Sequence, residues 1–213
     1  LSYVTQAINL NLIPLFFVIF QSDYGVSTAK LSIIVFLTFA LQISIDSFLA
    51  YMGEKVNLRL LIVLSHALSA AGLVALGILP GIIDTFTGII ISVVLYSIGS
   101  ALLEVVINPI FDRLPKKEGG GFVFAHSFYC WGQMGVILIS SILLAISGGA
   151  WKFIPICWAV LPITLMILFF FLPIPSPHGI FLTAAAILLY QTFHFSAMHA
   201  LPVHSSVHSV PCR

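Results

Sequence analysis

The sequence predicts an all-α membrane protein, a bundle of six transmembrane helices, and three observations carry this prediction. Of the 213 residues, 60% are hydrophobic and only 7% are charged, whereas about a quarter of the residues in a soluble domain are charged. The apolar residues form runs of about 20, the length that an α-helix needs to cross a bilayer. The alternating pattern of a barrel strand is absent, so these spans are helices.

Six apolar runs are long enough to span a membrane, and glycine, proline or charged residues separate them. The runs are approximately 3–21, 31–52, 60–79, 86–110, 122–147 and 152–172. A seventh run, 180–193, holds only 14 residues before histidines begin, which is short for a span. We therefore divide the chain into a six-helix bundle, 1–172, and a proline-spaced, histidine-rich tail, 173–213.

Basic residues are concentrated in the second and fourth connectors between these runs, which lie on the same side of a six-span protein. The connectors on the other side carry only Lys30 and Lys152. Because basic loops stay in the cytoplasm, we predict a multi-pass protein of the cell membrane with a cytoplasmic N-terminus. The basic residues of the second and fourth connectors are Lys55, Arg59, Arg113, Lys116 and Lys117.

Composition and spacing also argue against several function classes. The formal net charge is +1, so nothing indicates a nucleic-acid partner. The three cysteines have no metal-binding spacing, and His204 and His208 have no further ligands beside them, so we predict neither metal nor cofactor. His126 and Ser127 cannot act as base and nucleophile, because neighbours in sequence do not face each other on a helix. We do not expect an enzyme.

Small residues inside the spans predict close packing of the helices. Gly72 and Gly99 lie in the third and fourth spans, and Gly132 and Gly135 lie in the fifth. In lipid, residues of this size let helix backbones approach one another. A packed bundle is therefore expected rather than six independent anchors.

Two carboxylates lie inside the spans, near their cytoplasmic ends. An acid in the middle of a membrane helix costs about 2.5–3.5 kcal/mol to insert, so it usually faces a cavity or a partner. Glu104 has no basic residue in its own helix, which favours a functional role over a structural contact. Asp46 is followed by Lys55 and Arg59 in the next loop, which favours a structural ion pair.

The first span combines polar residues with a proline. Gln6 and Asn9 share a helix face because they are three residues apart, and Asn11 precedes Pro14. Polar faces beside helix breaks are typical of transporter binding sites. The alternative is hydrogen bonding between helices, worth about 0.6 kcal/mol per bond. Asn108-Pro109 in the fourth span echoes this pattern, as an inverted repeat would.

The stretch "FAHSFYCWGQMG" at 124–135 places His126, Cys130 and Gln133 on one helix face, with Tyr129 beside them. Tyr129 and Trp131 are suited to anchoring at a membrane interface. A polar face within the bundle is the simplest interpretation of this mixture.

Several motifs together resemble the major facilitator superfamily, and most closely its fucose-permease-like sugar transporter branch. "LLEVVINPIFDRLP" followed by "AHSFYCWGQMG" resembles the end of the fourth and the start of the fifth helix of that branch. "AYMGEKVNLR" at 50–59 resembles the superfamily's loop between helices two and three, with Glu54, Lys55 and Arg59 matching. Asn57 replaces a motif glycine, and asparagine tolerates the left-handed conformation better than most residues.

The resemblance implies a secondary transporter in which two six-helix halves rock about a central site. In the branch, a fourth-helix glutamate in an E-x-x-x-N-P context couples the substrate to protons, and Glu104 with Asn108 matches it. The branch's first-helix aspartate is replaced here by Leu12, so Glu104 would act alone or with His126. The resemblance assigns Glu54, Lys55 and Arg59 to a cytoplasmic latch, beside Asp46.

Length sets this chain apart from a twelve-helix transporter. We expect an incomplete chain, the N-terminal half, whose partners are the lipid bilayer, a sugar-like solute, protons, and a missing C-terminal half or a second copy. The alternative is a membrane protein that does not transport, such as a receptor or an assembly subunit, with no acid facing a hydrated cavity.

Overall fold

The computed structural model describes residues 1–52, 57–112 and 121–172, and all regular elements in these ranges are helical. Six helical segments are long and apolar enough to cross a membrane, which confirms the predicted all-α fold with six spans. The seventh apolar run and the tail lie outside the described residues. The helices are α1 Ser2–Leu15, α2 Phe17–Ser22, α3 Thr28–Met52, α4 Leu58–Ile78, α5 Thr85–Asp112, α6 Gly121–Ile146 and α7 Phe153–Phe171, with a 3-10 turn at Leu79–Gly81.

The first span is a broken helix made of α1 and α2. The break is at Phe16, whose backbone has φ −92° and ψ 0° and whose N–H donates to the carbonyls of Ile13 and Pro14. Pro14 has no N–H, so the carbonyl of Leu10, four residues earlier, loses its helical donor. The predicted effect of Pro14 on the first span is therefore visible as an interruption two residues later.

The six spans alternate in direction and give the bundle two ends. We call the end where α3 and α5 finish and α4 begins the basic end, because the connectors with most of the cations follow there. The turns between α2 and α3, α4 and α5, and α6 and α7 lie at the opposite end. Asn57 caps α4 at the basic end, its Oδ1 accepting from the backbone N–H groups of Arg59 (3.0 Å) and Leu60 (3.3 Å).

This cap corrects the expectation that Asn57 replaces a glycine by adopting the left-handed conformation. Its φ is −72° and its ψ is 110°, which is ordinary extended backbone. Asparagine is useful here as a helix N-cap rather than for a positive φ.

Close packing centres on α4 and α5, as the small residues predict. A Cβ atom at Gly72 would lie 2.5 Å from the backbone nitrogen of Tyr96, and one at Gly99 would lie 2.7 Å from the carbonyl oxygen of Ser65. Gly132 lets α6 approach Val4 of α1 in the same way, whereas Gly135 has no neighbour within 4 Å. The expectation of close packing at Gly135 is therefore wrong.

The central and peripheral helices follow from these contacts. α4 packs against α5 and α7, and α1 packs against α6 and α5, while α3 packs mainly against α5. α3 and α6 consequently keep broad outward faces with large apolar side chains, as in helices that contact lipid. Examples are Phe36, Phe39, Ile43, Trp131 and Ile146.

An aromatic cluster closes the core at the opposite end. Trp151 is 3% exposed, and its ring centroid lies 5.4 Å from that of Phe16 and 5.0 Å from that of Phe20. Tyr24 lies 6.1 Å away, edge-on to the indole. Aromatic pairs at these separations are favourable, so the break in the first span is packed against the start of α7.

Candidate functional site

The carboxylate of Glu104 accepts hydrogen bonds from two amides on two other helices. Gln6 Nε2 on α1 donates to Glu104 Oε2 at 2.8 Å, and Gln42 Nε2 on α3 donates to the same oxygen. Glu104 itself is partly buried on α5. Three helices therefore meet at one carboxylate, about 12 Å from the end of α5 at the 1.5 Å rise per residue of an α-helix.

Sequence reasoning singled out Gln6 and Glu104 but missed Gln42. The signal was the same in all three cases, a polar residue within an apolar run of a spanning helix. Gln42 shares the α3 face of Thr38 and Asp46, each four residues away. That face is directed toward α5, because Gln42 contacts Glu104 and Ser97 Oγ lies 3.5 Å from Thr38 Oγ1.

A cavity of about 330 Å³ opens beside the break in the first span. This volume is at the lower end of the range for small-molecule sites. Leu10 and Pro14 are among its lining residues, so the carbonyl left without a helical donor belongs to a residue at the cavity wall. The lining residues are Asn9, Leu10, Asn11, Ile13, Pro14, Ile34, Val35, Thr38, Phe39, Tyr96 and Tyr129.

Asn11 connects this cavity to α6. Its Oδ1 accepts from Gln133 Nε2 at 2.9 Å, and its Nδ2 donates to the carbonyl of Ala7 at 2.8 Å. Tyr129, one turn before Gln133, is also hydrogen-bonded to Asn11. The structure thus brings together the predicted residues Asn11 and Gln133, from the first and fifth spans.

The predicted polar face of α6 needs one correction. Cys130 is exposed on the outside of the bundle, whereas Tyr129 and Gln133 are partly buried and face α1. Residues four apart lie closer to one helix face than residues three apart, which explains why Gln133 aligns with Tyr129 rather than with Cys130. The side chain of His126 lies outside the described residues, as does that of Asn108.

Asn9 is held in a contact between helices, although it also borders the cavity. Its Nδ2 donates to Ser69 Oγ at 2.9 Å and to the carbonyl of Tyr96 at 3.5 Å, and only 2% of the residue is exposed. The amide nitrogen of Asn9 therefore makes hydrogen bonds between helices, which was the alternative to a role in the cavity. Asn9 Oδ1 has no hydrogen-bond partner among the described residues.

His66 on α4 is a fully buried polar residue that sequence reasoning missed. Its Nδ1 lies 2.8 Å from the carbonyl of Ile62, and Ser2 Oγ lies 3.3 Å from its Nε2. Since a carbonyl only accepts, the proton is assigned to Nδ1 and Nε2 accepts from the serine. The ring centroid lies 5.4 Å from that of Phe169, so the imidazole joins α1, α4 and α7.

The ion pair expected between Asp46 and Arg59 is not formed. Arg59 is exposed, and its Nη2 donates to the carbonyl of Leu172 at 2.8 Å, because the start of α4 lies beside the end of α7. Asp46 is 5% exposed, and its Oδ1 has no hydrogen-bond partner in the described part of the chain. The other predicted latch residues, Glu54 and Lys55, lie outside that part.

No family model, curated protein or solved structure matches this chain. The described residues contain no group of three or more histidine, cysteine or acidic side chains that could hold a metal ion. The described site consists of the Glu104 carboxylate with its two amide donors, and of the amides, hydroxyls and rings that line the cavity.

Proposed function

We propose that this protein is a membrane-embedded secondary transporter for a small hydrophilic solute, of the sugar class, with protons coupled through Glu104. The observation that carries the proposal is the Glu104 carboxylate, accepting amides from α1 and α3. An acid inside a spanning helix is expensive to keep. Because Glu104 contacts two other helices, a change in its protonation directly affects how these helices pack.

The cavity lining supports an uncharged, hydroxyl-rich solute. None of its described residues carries a charge, and amides, hydroxyls and aromatic rings alternate with aliphatic side chains. Amides and hydroxyls can both donate to and accept from sugar hydroxyls. Discontinuous helices near the membrane midplane are also a recurring feature of transporter sites.

Coupling follows from the shared contacts of Glu104. The ionised carboxylate only accepts hydrogen bonds, so the Gln6 and Gln42 amides hold α1 and α3 against α5. The protonated acid has a donor of its own and fewer acceptor sites, so these contacts rearrange. Protonation and solute binding then favour the same rearrangement of α1, as alternating access requires.

The proposal includes the orientation and the partner of the bundle. The basic end faces the cytoplasm by the positive-inside rule. A second six-helix unit, either a C-terminal half or a second copy, completes the cavity on the side of α1 and α3. Rocking of the two units about the cavity then exposes the solute to each side in turn.

Transport measurements in proteoliposomes with the full-length protein test the coupling role of Glu104. We expect counterflow of a labelled sugar, from a panel of hexoses and pentoses, and its accumulation under a pH gradient. Glu104→Gln should keep counterflow, which needs no net proton movement, and lose accumulation to the level of protein-free liposomes. Asp84→Asn, an exposed acid at the opposite end, is the matched control and should keep both.

Two outcomes contradict different parts of this proposal. Accumulation by Glu104→Gln at the level of the unmodified protein would remove the coupling role of Glu104. Absence of counterflow for every sugar tested, by protein that remains folded, would remove the sugar class.

A second measurement separates a transporter from a receptor or an assembly subunit. Cysteine is placed at position 104 in a background in which Cys130, Cys157 and Cys212 are replaced by serine. A water-soluble thiol reagent should label position 104, and the solute should slow the labelling. Complete protection of position 104 under all conditions would favour a bundle without a hydrated cavity.

A further inference from the structure

Asp46 is a buried acid that the proposed coupling through Glu104 does not use. It lies inside the second span, 5% exposed, and its Oδ1 has no hydrogen-bond partner among the described residues. A buried ionised carboxylate without a partner is strongly unfavourable in a nonpolar medium. The unpaired Oδ1 therefore favours a proton or a ligand on this carboxyl group.

Asp46 lies near Glu104 and slightly closer to the basic end. α3 and α5 run in the same direction, and Asp46 is one turn beyond Gln42, whose amide contacts Glu104. The two carboxyl groups are near enough for their charges to interact. Asp46 lies about 9 Å and Glu104 about 12 Å from the ends of their helices at 1.5 Å per residue, so Asp46 is nearer the basic end.

The other ionisable side chains found to interact with Glu104 in the described ranges are not cations. Tyr3 on α1 and Tyr129 on α6 each interact electrostatically with Glu104. His66 on α4 is directed at Ser2 and Ile62.

The cations of the described ranges are engaged elsewhere. Lys30 lies over the ring of Phe86 and Lys152 over that of Tyr24, both at the opposite end. Arg59 donates to the carbonyl of Leu172. The two carboxyl groups thus have no described cation as a partner, and like charges near each other oppose ionisation of both groups.

We propose that Asp46 and Glu104 form an acid pair that shares one proton, and that Asp46 is the member through which this proton enters from the basic end. When the proton moves, the O–H bond of Asp46 breaks and an O–H bond forms on Glu104. The single negative charge moves to Asp46. Asp46 takes a new proton from solvent at the basic end once Glu104 has released its own proton, so the pair holds one proton throughout. The entry of the proton through Asp46 extends the proposed transport function and rests on it. The sharing of one proton by the two acids does not depend on transport.

Carbodiimide labelling tests the pair without any transport measurement. A lipid-soluble carbodiimide reacts with protonated carboxyl groups, and peptide mapping by mass spectrometry locates the adduct. In full-length protein in lipid nanodiscs at neutral pH, we expect one adduct per chain within the pair, distributed over Asp46 and Glu104. Asp46→Asn should lower the labelling of Glu104 severalfold. Without a neighbouring negative charge, a smaller fraction of Glu104 is protonated, and only the protonated form reacts. Glu104→Gln should lower the labelling of Asp46 for the same reason.

The controls make each outcome decisive. Asp84→Asn removes an exposed acid about 30 Å along α5 from Glu104, and it should leave the labelling of both residues unchanged. Unchanged labelling of Glu104 in Asp46→Asn would overturn the proposal, as would two adducts on one chain of the unmodified protein at neutral pH. Loss of labelling in sodium chloride but not in choline chloride would replace the shared proton by a bound sodium ion.

The unmodified protein alone suffices if Asp46→Asn does not fold, because the number of adducts per chain needs no variant. The experiments also distinguish a wrong acid-pair proposal from a wrong transport proposal. If Glu104→Gln loses pH-driven accumulation while Asp46→Asn leaves Glu104 labelling unchanged, the coupling role of Glu104 stands and the pair does not.

Discussion

Single residues in this bundle differ in how completely their polar atoms are paired. Gln6, Asn11 and Gln133 complete contacts between helices, whereas the Oδ1 atoms of Asn9 and Asp46 have no described partner. In lipid an unpaired polar atom is costly because water is not there to replace the missing bond. The unpaired atoms are therefore more informative about function than the number of polar residues.

At the residue scale, Asp84 gives a prediction outside the membrane spans. Its Oδ2 accepts from the Thr87 backbone N–H and hydroxyl, both at 3.0 Å, as an N-cap of α5 does. The backbone hydrogen bond, and then the hydroxyl, hold the pKa of Asp84 below its ordinary value of 3.8. A carboxyl group whose pKa is lower in the folded state stabilises that state above the ordinary pKa.

We therefore expect the unmodified protein to be slightly more stable than Asp84→Asn at neutral pH. This difference should disappear as the pH falls through the folded-state pKa of Asp84, since the aspartate then loses its charge. Thermal unfolding in detergent across an acid pH series measures it. Asp84→Ala should lose stability at every pH, because alanine cannot cap the helix. A difference between aspartate and asparagine that persists in strong acid would contradict the assignment.

At the scale of elements, two prolines in spanning helices have different consequences. Pro162 lies inside α7, which continues without interruption from Phe153 to Phe171. Pro14 precedes the break at Phe16, where α1 gives way to α2. At the break, the aromatic ring of Phe16 packs against Trp151, a contact that stabilises the interrupted backbone.

Pro14→Ala should join α1 to α2, because alanine supplies the N–H that the Leu10 carbonyl lacks. A proline inside a helix costs about 3 kcal/mol, so the joined helix should be more stable and less able to rearrange. We expect slower amide hydrogen exchange in 15–19 and slower sugar counterflow. Pro162→Ala is the matched control and should leave counterflow unchanged. Unaltered exchange in 15–19 would show that Pro14 does not cause the break.

At the scale of the whole molecule, the bundle is closed by apolar packing at one end, and the two acids inside its described spans lie toward the other. Trp151, Phe16, Phe20 and Tyr24 fill the opposite end, while Asp46 and Glu104 lie nearer the basic end. This asymmetry along the bundle axis agrees with the proposed entry of protons from the basic end.

Trp151→Ala should destabilise the bundle by about 3–5 kcal/mol, the range for truncating a large buried aromatic residue. Trp131→Ala is the matched control, because its side chain is 71% exposed against 3% for Trp151. Exposed substitutions usually change stability by less than about 0.5 kcal/mol. Reversible unfolding in a denaturing detergent series measures both. Equal effects of the two substitutions would mean that the cluster does not hold the opposite end together.

The spans were predictable because the thickness of a bilayer sets the length of an apolar helix. Close packing at Gly72 and Gly99 was predictable for a similar reason, since small residues in lipid have few other uses. Gly135 is also a small residue within a span, but a Cβ atom there would have no neighbour within 4 Å. Whether a small residue meets a neighbour depends on the rotation of its helix, which periodicity alone does not determine.

The sequence by itself determined the six helical spans and which of them carry polar groups. Only the tertiary structure determined the partners of those groups: Gln42 for Glu104, Gln133 for Asn11, and the Leu172 carbonyl rather than Asp46 for Arg59. The physical reason is that insertion into a bilayer depends on composition along one helix. A hydrogen bond between spans depends on the rotation, tilt and spacing of two helices far apart in the chain.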